Sequence, residues 1–91
     1  MKPLFELGQL VATPGAIDLM FENETAPGFL IARHVSGDWG DLDDDDKQAN
    51  DHAVKAGYLR VFSAYKVGDA KVWVITEGDR SSTTILLPEE Y

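Results

Sequence analysis

The densest polar chemistry in the chain lies between His34 and Asp46. One imidazole, the indole of Trp39 and six carboxylates (Asp38, Asp41, Asp43, Asp44, Asp45 and Asp46) fall within thirteen residues. Three kinds of reaction chemistry draw on such types. His34, Ser36 and Asp38 are the types of a hydrolytic triad. Alternate placement along one segment does not build a nucleophile–base–orienter line, however, and no G-x-S-x-G elbow accompanies them. For calcium, aligning Asp41, Asp43 and Asp45 with the first three EF-hand ligands puts Asp46 where glycine is needed. His52 then stands where a bidentate glutamate belongs. For zinc, His34 and His52 lack H-E-x-x-H spacing and the chain has no cysteine. The spacing therefore predicts no catalytic residue, no metal ligand set and no cofactor.

Recognition is the chemistry that remains. Asp43 to Asp46 reads as the first turn of a helix, where the macrodipole favours each acid by about 0.3–1 kcal/mol. The same run is open to a second reading, mimicry of DNA phosphates to inhibit a defence or nucleic-acid enzyme. A mimic displays charge along most of one surface, whereas these acids form a single cluster. Trp39, between Gly37 and Gly40, is either a plug for the core or an apolar anchor with a charged rim. His34 is expected to make a capping or loop-ordering hydrogen bond. Together His34, Asp38, Trp39, Asp41, Asp43, Asp44, Asp45 and Asp46 form the candidate surface for a basic protein partner.

Composition bounds the rest. Ninety-one residues with 44% hydrophobic and 10% aromatic content suffice for one packed domain, residues 1–91. Residues 1–51 carry eleven acids against three bases and residues 52–91 carry five of each, so the whole net charge of −8 sits in the first half. Such a field repels phosphate backbones and disfavours direct nucleic-acid binding. No apolar run approaches the roughly 20 residues of a membrane span. Glu6, Gly8 and Gln9 break up any secretory apolar core after Lys2. A soluble, cytoplasmic protein without membrane attachment is expected, in keeping with the absence of cysteine.

The elements that must position these residues can be read in order. Leu7 to Ala12 is a short strand with Leu10 and Val11 as its apolar members. Thr13 caps a helix that begins with Pro14 and ends near Asn23. A second helix starts at Pro27, has Phe29, Leu30, Ile31 and Val35 on its apolar side, and stops at Ser36-Gly37. Arg33 and His34 lie near its end, where cations suit the dipole. A third runs from Leu42 or Asp43 to Ala56 before Gly57, with Leu42, Ala49, Ala53 and Ala56 on one side. From Tyr58 the period changes to two, giving strands at Tyr58–Val67, Lys71–Glu77 and Ser82–Leu87. The fold expected is α+β: one short N-terminal strand, three short helices, then a three-stranded antiparallel meander. Both faces of that meander carry apolar residues, with Trp73 a core member. The helices cover one face, leaving the other for the first strand or for a homodimer through the sheet.

Three blocks carry a family resemblance: Val11-Ala12-Thr13-Pro14-Gly15-Ala16; Arg33-His34-Val35-Ser36-Gly37-Asp38-Trp39-Gly40-Asp41-Leu42; and Trp73-Val74-Ile75-Thr76-Glu77 with Thr84-Ile85-Leu86-Leu87-Pro88-Glu89. Together they resemble a family of small acidic bacterial proteins from plasmids and integrated elements, often termed plasmid-related proteins. Some members carry the label of a type I restriction subunit M, which does not suit a chain too short for a methyltransferase and lacking its cofactor motif. The resemblance implies a mobile-element setting and no particular reaction. Four successive aspartates depart from the family's usual mixture of Asp and Glu. The function expected is a non-catalytic protein-interaction module of a bacterial mobile element, with the DNA-mimic inhibitor as the alternative.

Overall fold

The computed structural model describes residues 3–91. In chain order these form β1 (Gln9–Ala12), α1 (Pro14–Glu22), α2 (Pro27–Val35), α3 (Asp44–Ala56), β2 (Val61–Val67), β3 (Ala70–Thr76), β4 (Ser82–Leu86) and a closing 3-10 turn, Pro88–Glu90. The class is α+β. The meander forms as the alternation requires, β2 antiparallel to β3 and β3 to β4. One expectation needs correcting. β1 does not cover the second face of the sheet but pairs parallel with β4, making a four-stranded mixed sheet in the order β1-β4-β3-β2. The chain turns into α1 directly after β1, with Thr13 alone between them, and this leaves β1 at the sheet edge rather than across its face.

Period two sorts the strand residues as the sequence predicts. Val61, Ser63, Tyr65, Val67, Val72, Val74, Thr76, Thr83 and Ile85 are all buried and share the helix-covered face. Phe62, Trp73, Ile75 and Leu86 share the opposite face. There the chain's own last residues cover part of them, with the Tyr91 ring edge-on to Trp73 at 5.7 Å. The strand does not begin at Tyr58: Tyr58 and Leu59 are exposed and precede it.

Local chemistry sets the helix ends. The Thr13 hydroxyl accepts from the Ala16 N–H (3.2 Å) and Pro14 stands where its missing N–H costs nothing. On α1, Ala16 and Met20 lie one turn apart and are buried in the core with Leu30, Tyr65, Val67, Val72, Val74 and Ile85. α3 is capped by the Asp43 carboxylate, which accepts from the Asp46 N–H (2.8 Å), and ends at Gly57 with φ +83°.

Two helix faces differ from the sequence reading. On α3 Ala53 is buried, but Ala49 and Ala56 are exposed and the other fully buried residue is Asn50. The reason lies on the sheet edge. Asn50 donates from Nδ2 to the Phe62 carbonyl and accepts the Phe62 N–H at Oδ1 (3.0 Å), as a neighbouring strand would. On α2 the buried stripe is Leu30, His34 and Val35, whereas Phe29 is exposed. The four-residue spacing from Leu30 carries His34 onto the sheet side.

Candidate functional site

Between α2 and α3 the chain turns twice within eight residues. Gly37 takes φ +91° and turns it off the helix. Gly40 takes φ +74° and lets the backbone reach the edge of β2, where the Ala64 N–H donates to the Trp39 carbonyl (3.2 Å) and the Asp41 N–H to the Ala64 carbonyl (2.7 Å). A Cβ on Gly40 would run into the Ala64 carbonyl oxygen, so only glycine fits both the dihedral and the approach. The segment thus behaves as a one-bridge extra strand. Trp39 turns inward, and Asp38 and Asp41 turn outward.

Trp39 is 5% exposed and packs with Ala53 and Val61, flanked by Phe5, Leu42 and Val54. Its indole N–H donates to Asp51 Oδ1 (3.0 Å) and its ring stacks on Phe5 at 6.3 Å. Of the two roles the sequence left open it has the plug's position. It is not available as a surface anchor.

His34 is fully buried. This corrects its place in the candidate surface, and also the expectation that it serves as a cation or cap at the helix end. Its Nδ1 lies 2.6 Å from Ser63 Oγ and its Nε2 2.9 Å from Thr76 Oγ1. Thr76 Oγ1 is 2.7 Å from Thr83 Oγ1, which donates to the Leu7 carbonyl (2.7 Å). That terminal bond fixes the direction as far as the ring. Thr83 has given its proton to Leu7, so Thr76 donates to Thr83 and His34 Nε2–H donates to Thr76; in the neutral ring Nδ1 is then bare and accepts from Ser63. Every member is satisfied with a neutral imidazole. Burial lowers the His34 pKa to about 4, and the Phe5 and Trp39 rings flank it at 5.2 and 6.1 Å.

Asp38 is not brought to His34. It pairs with Arg33 through two hydrogen bonds (2.7 and 3.3 Å) and accepts the Gly40 N–H (3.2 Å). The Arg33 bond, foremost, holds its carboxyl below the usual carboxylate range. Arg33 also lies over the Tyr65 ring, 4.5 Å from its centre. The Tyr65 hydroxyl donates to the Asp38 carbonyl (2.6 Å), and burial pushes its pKa up to about 12. Tyr65 thereby ties the acidic loop to the core. Asp41 pairs with Lys71 at 3.2 Å. A shallow cavity of about 320 Å³ lies where this loop meets β2, lined by Arg33, Asp38, Asp41, Tyr65 and Lys66.

The remaining acids stand apart. Asp43, Asp44, Asp45 and Asp46 are exposed, and among the described residues none of them forms an ion pair. The helix dipole offers roughly half a positive charge at that end, far short of four carboxylates. Among the described residues no three His, Asp or Glu side chains group so as to hold a metal ion, and no helix is long and apolar enough to cross a membrane.

The residues that sequence reasoning missed are Asn50, Ser63, Tyr65, Thr76, Thr83 and Arg80. The Arg80 guanidinium donates to the carbonyls of Ala53 (3.1 Å) and Leu59 (2.6 Å) and so fixes the end of α3. One signal was available. Ser63, Thr76 and Thr83 occupy the inward parity of their strands, and inward hydroxyls need a partner. No protein-family model, no curated protein and no solved structure matches the chain.

Proposed function

We propose that this chain is a non-catalytic protein-interaction module whose docking surface is the first turn of α3, Asp43 to Asp46, bordered by Asp38 and Asp41. Its partner is a basic protein surface. The observation that carries the reading is the contrast within one segment. Asp38 and Asp41 are answered by Arg33 and Lys71, whereas the next four carboxylates are exposed and, among the described residues, without a cation. They project from a frame held by the Gly40 bridge, the Trp39 plug and the Asp43 cap, so little ordering entropy is lost on binding. A concentrated charge of this kind accelerates encounter with an opposite patch and selects against acidic partners. The acids gather in one helical turn instead of running in a row across a face, which favours protein recognition over imitation of a phosphate backbone. The mobile-element setting rests on the sequence resemblance alone.

Capture from a bacterial lysate with mass spectrometry tests the reading, comparing wild type with the variant Asp44→Asn, Asp45→Asn, Asp46→Asn. A basic protein retained by the wild type and lost from the equally folded variant is the expected result. Equal retention by both would overturn the assignment of the surface. Retention of DNA-processing enzymes that DNA itself displaces would favour mimicry.

A further inference from the structure

The two edges of the sheet are finished in different ways. On β2 the outward backbone groups of Phe62 and Ala64 are taken up by Asn50 and by the Trp39–Asp41 segment. On β1 the Gln9 N–H donates to the Ser81 carbonyl and the Thr13 N–H to the Ile85 carbonyl, both at 3.0 Å. The parallel register puts Val11 in the same inward row, so Leu10 and Ala12 turn their N–H and C=O groups away from the sheet. Open edges invite another strand, and natural sheets blunt them with charge, proline or a covering segment. Among the described residues β1 has none of these. Leu10 (56% exposed) and Val11 (44%) project one on each face. Beside the strand runs a groove of about 180 Å³ walled by Leu10, Val11, Ala12, Pro27, Gly28 and Ile31.

Charge says what fits there. Neither Gln9–Ala12 nor Pro27–Ile31 holds an ionisable residue, on a chain of net charge −8. The acid cluster belongs to α3, which packs on β2 at the far edge, three strand spacings or roughly 14 Å away. A basic partner is drawn to that end. A second copy, which carries the same −8, meets no like charge on the strand or the groove wall at β1.

We propose that β1 pairs antiparallel with β1 of a second copy about a two-fold axis at Leu10. Each Leu10 N–H donates to the Leu10 carbonyl of the other chain, and the sheet continues to eight strands. The contact is isologous, because one strand supplies both halves. It leaves both α3 acid clusters free at the outer ends, so it stands independently of the docking surface proposed above. It also moves the homodimer expected through the sheet from its face to its edge.

Sedimentation equilibrium on the whole protein, with amide exchange on the same samples, tests this. Wild type should reach the mass of two chains with rising concentration. Leu10→Lys should return it to one chain with unchanged far-UV circular dichroism, and the Asp44→Asn, Asp45→Asn variant should remain dimeric. The Leu10 amide should be protected at high concentration and exchange freely on dilution, while Val11 stays protected throughout. Should Leu10→Lys melt early, the wild-type amides decide the matter alone. A wild type that stays monomeric at millimolar concentration, or a dimer whose Leu10 amide exchanges freely, would overturn the proposal and leave the edge for a strand of another protein.

Discussion

The buried hydroxyl–imidazole chain makes a quantitative demand on stability against pH. With the imidazole neutral every hydrogen bond of the chain is made, and burial lowers the folded pKa of His34 to about 4, against an ordinary value of 6.5. Between those values the unfolded chain binds the proton and the folded one does not. Stability therefore rises with pH across this window. The contribution is complete above about pH 6.5 and is lost as pH falls towards 4. A displacement of about 2.5 pKa units at 1.36 kcal/mol each amounts to about 3 kcal/mol. Urea unfolding at fixed temperature between pH 7 and pH 4.5 should reveal most of that slope. His34→Gln supplies one donor and one acceptor without a titrating group. Whatever its own stability, it should flatten the profile over the same range. NMR of the imidazole should show no titration of His34 near pH 6.5. A normal His34 titration, or an unchanged slope in His34→Gln, would refute the reasoning.

Other perturbations have expected magnitudes too. Trp39→Ala should cost about 3–5 kcal/mol in chemical denaturation, the range for emptying a buried aromatic site, and a near-neutral change would contradict its role as a plug. Asn50→Ala leaves the Phe62 N–H and C=O without their partners and should cost about 1–3 kcal/mol, with faster exchange at the Phe62 amide. Gly40 and Gly57 both have positive φ, but a Cβ at Gly57 meets nothing within 4 Å whereas one at Gly40 strikes the β2 backbone. Gly40→Ala should therefore lower the midpoint well beyond the roughly 1 kcal/mol expected of Gly57→Ala; equal losses would show that the bridge to Ala64 is dispensable.

What was legible in the sequence follows from how far each signal reaches along the chain. Helix starts at Pro14 and Pro27 and the Gly57 stop are local chemistry, and each falls where the residues place it; α3 begins one residue later than read, with Asp43 as its cap rather than in its first turn. Strand parity was legible from alternation alone. Polar residues that serve distant elements were not. Asn50 looks like a solvent-facing residue until β2 lies beside it, and His34 looks like a helix-end cation until Ser63 and Thr76 are brought against α2. The parallel pairing of β1 with β4 depends on an association over some seventy residues, for which four residues of strand give no local mark. Within the candidate surface, the exposed acids follow from their position at a helix start. The inward turn of Trp39 depends on the Gly40 contact with Ala64, which only the assembled sheet provides.

The docking surface is tested most directly by site-specific photocrosslinking in living bacteria. A photoreactive residue replaces Gln48, exposed two residues beyond the acid cluster, or Phe21, 83% exposed on α1 and outside that surface. Position 48 should crosslink to one basic protein, and the product should vanish when Asp44, Asp45 and Asp46 become asparagine. Position 21 should not capture that protein. Capture from position 21, or a product at position 48 that survives loss of the three carboxylates, would contradict the acid turn of α3 as the docking surface.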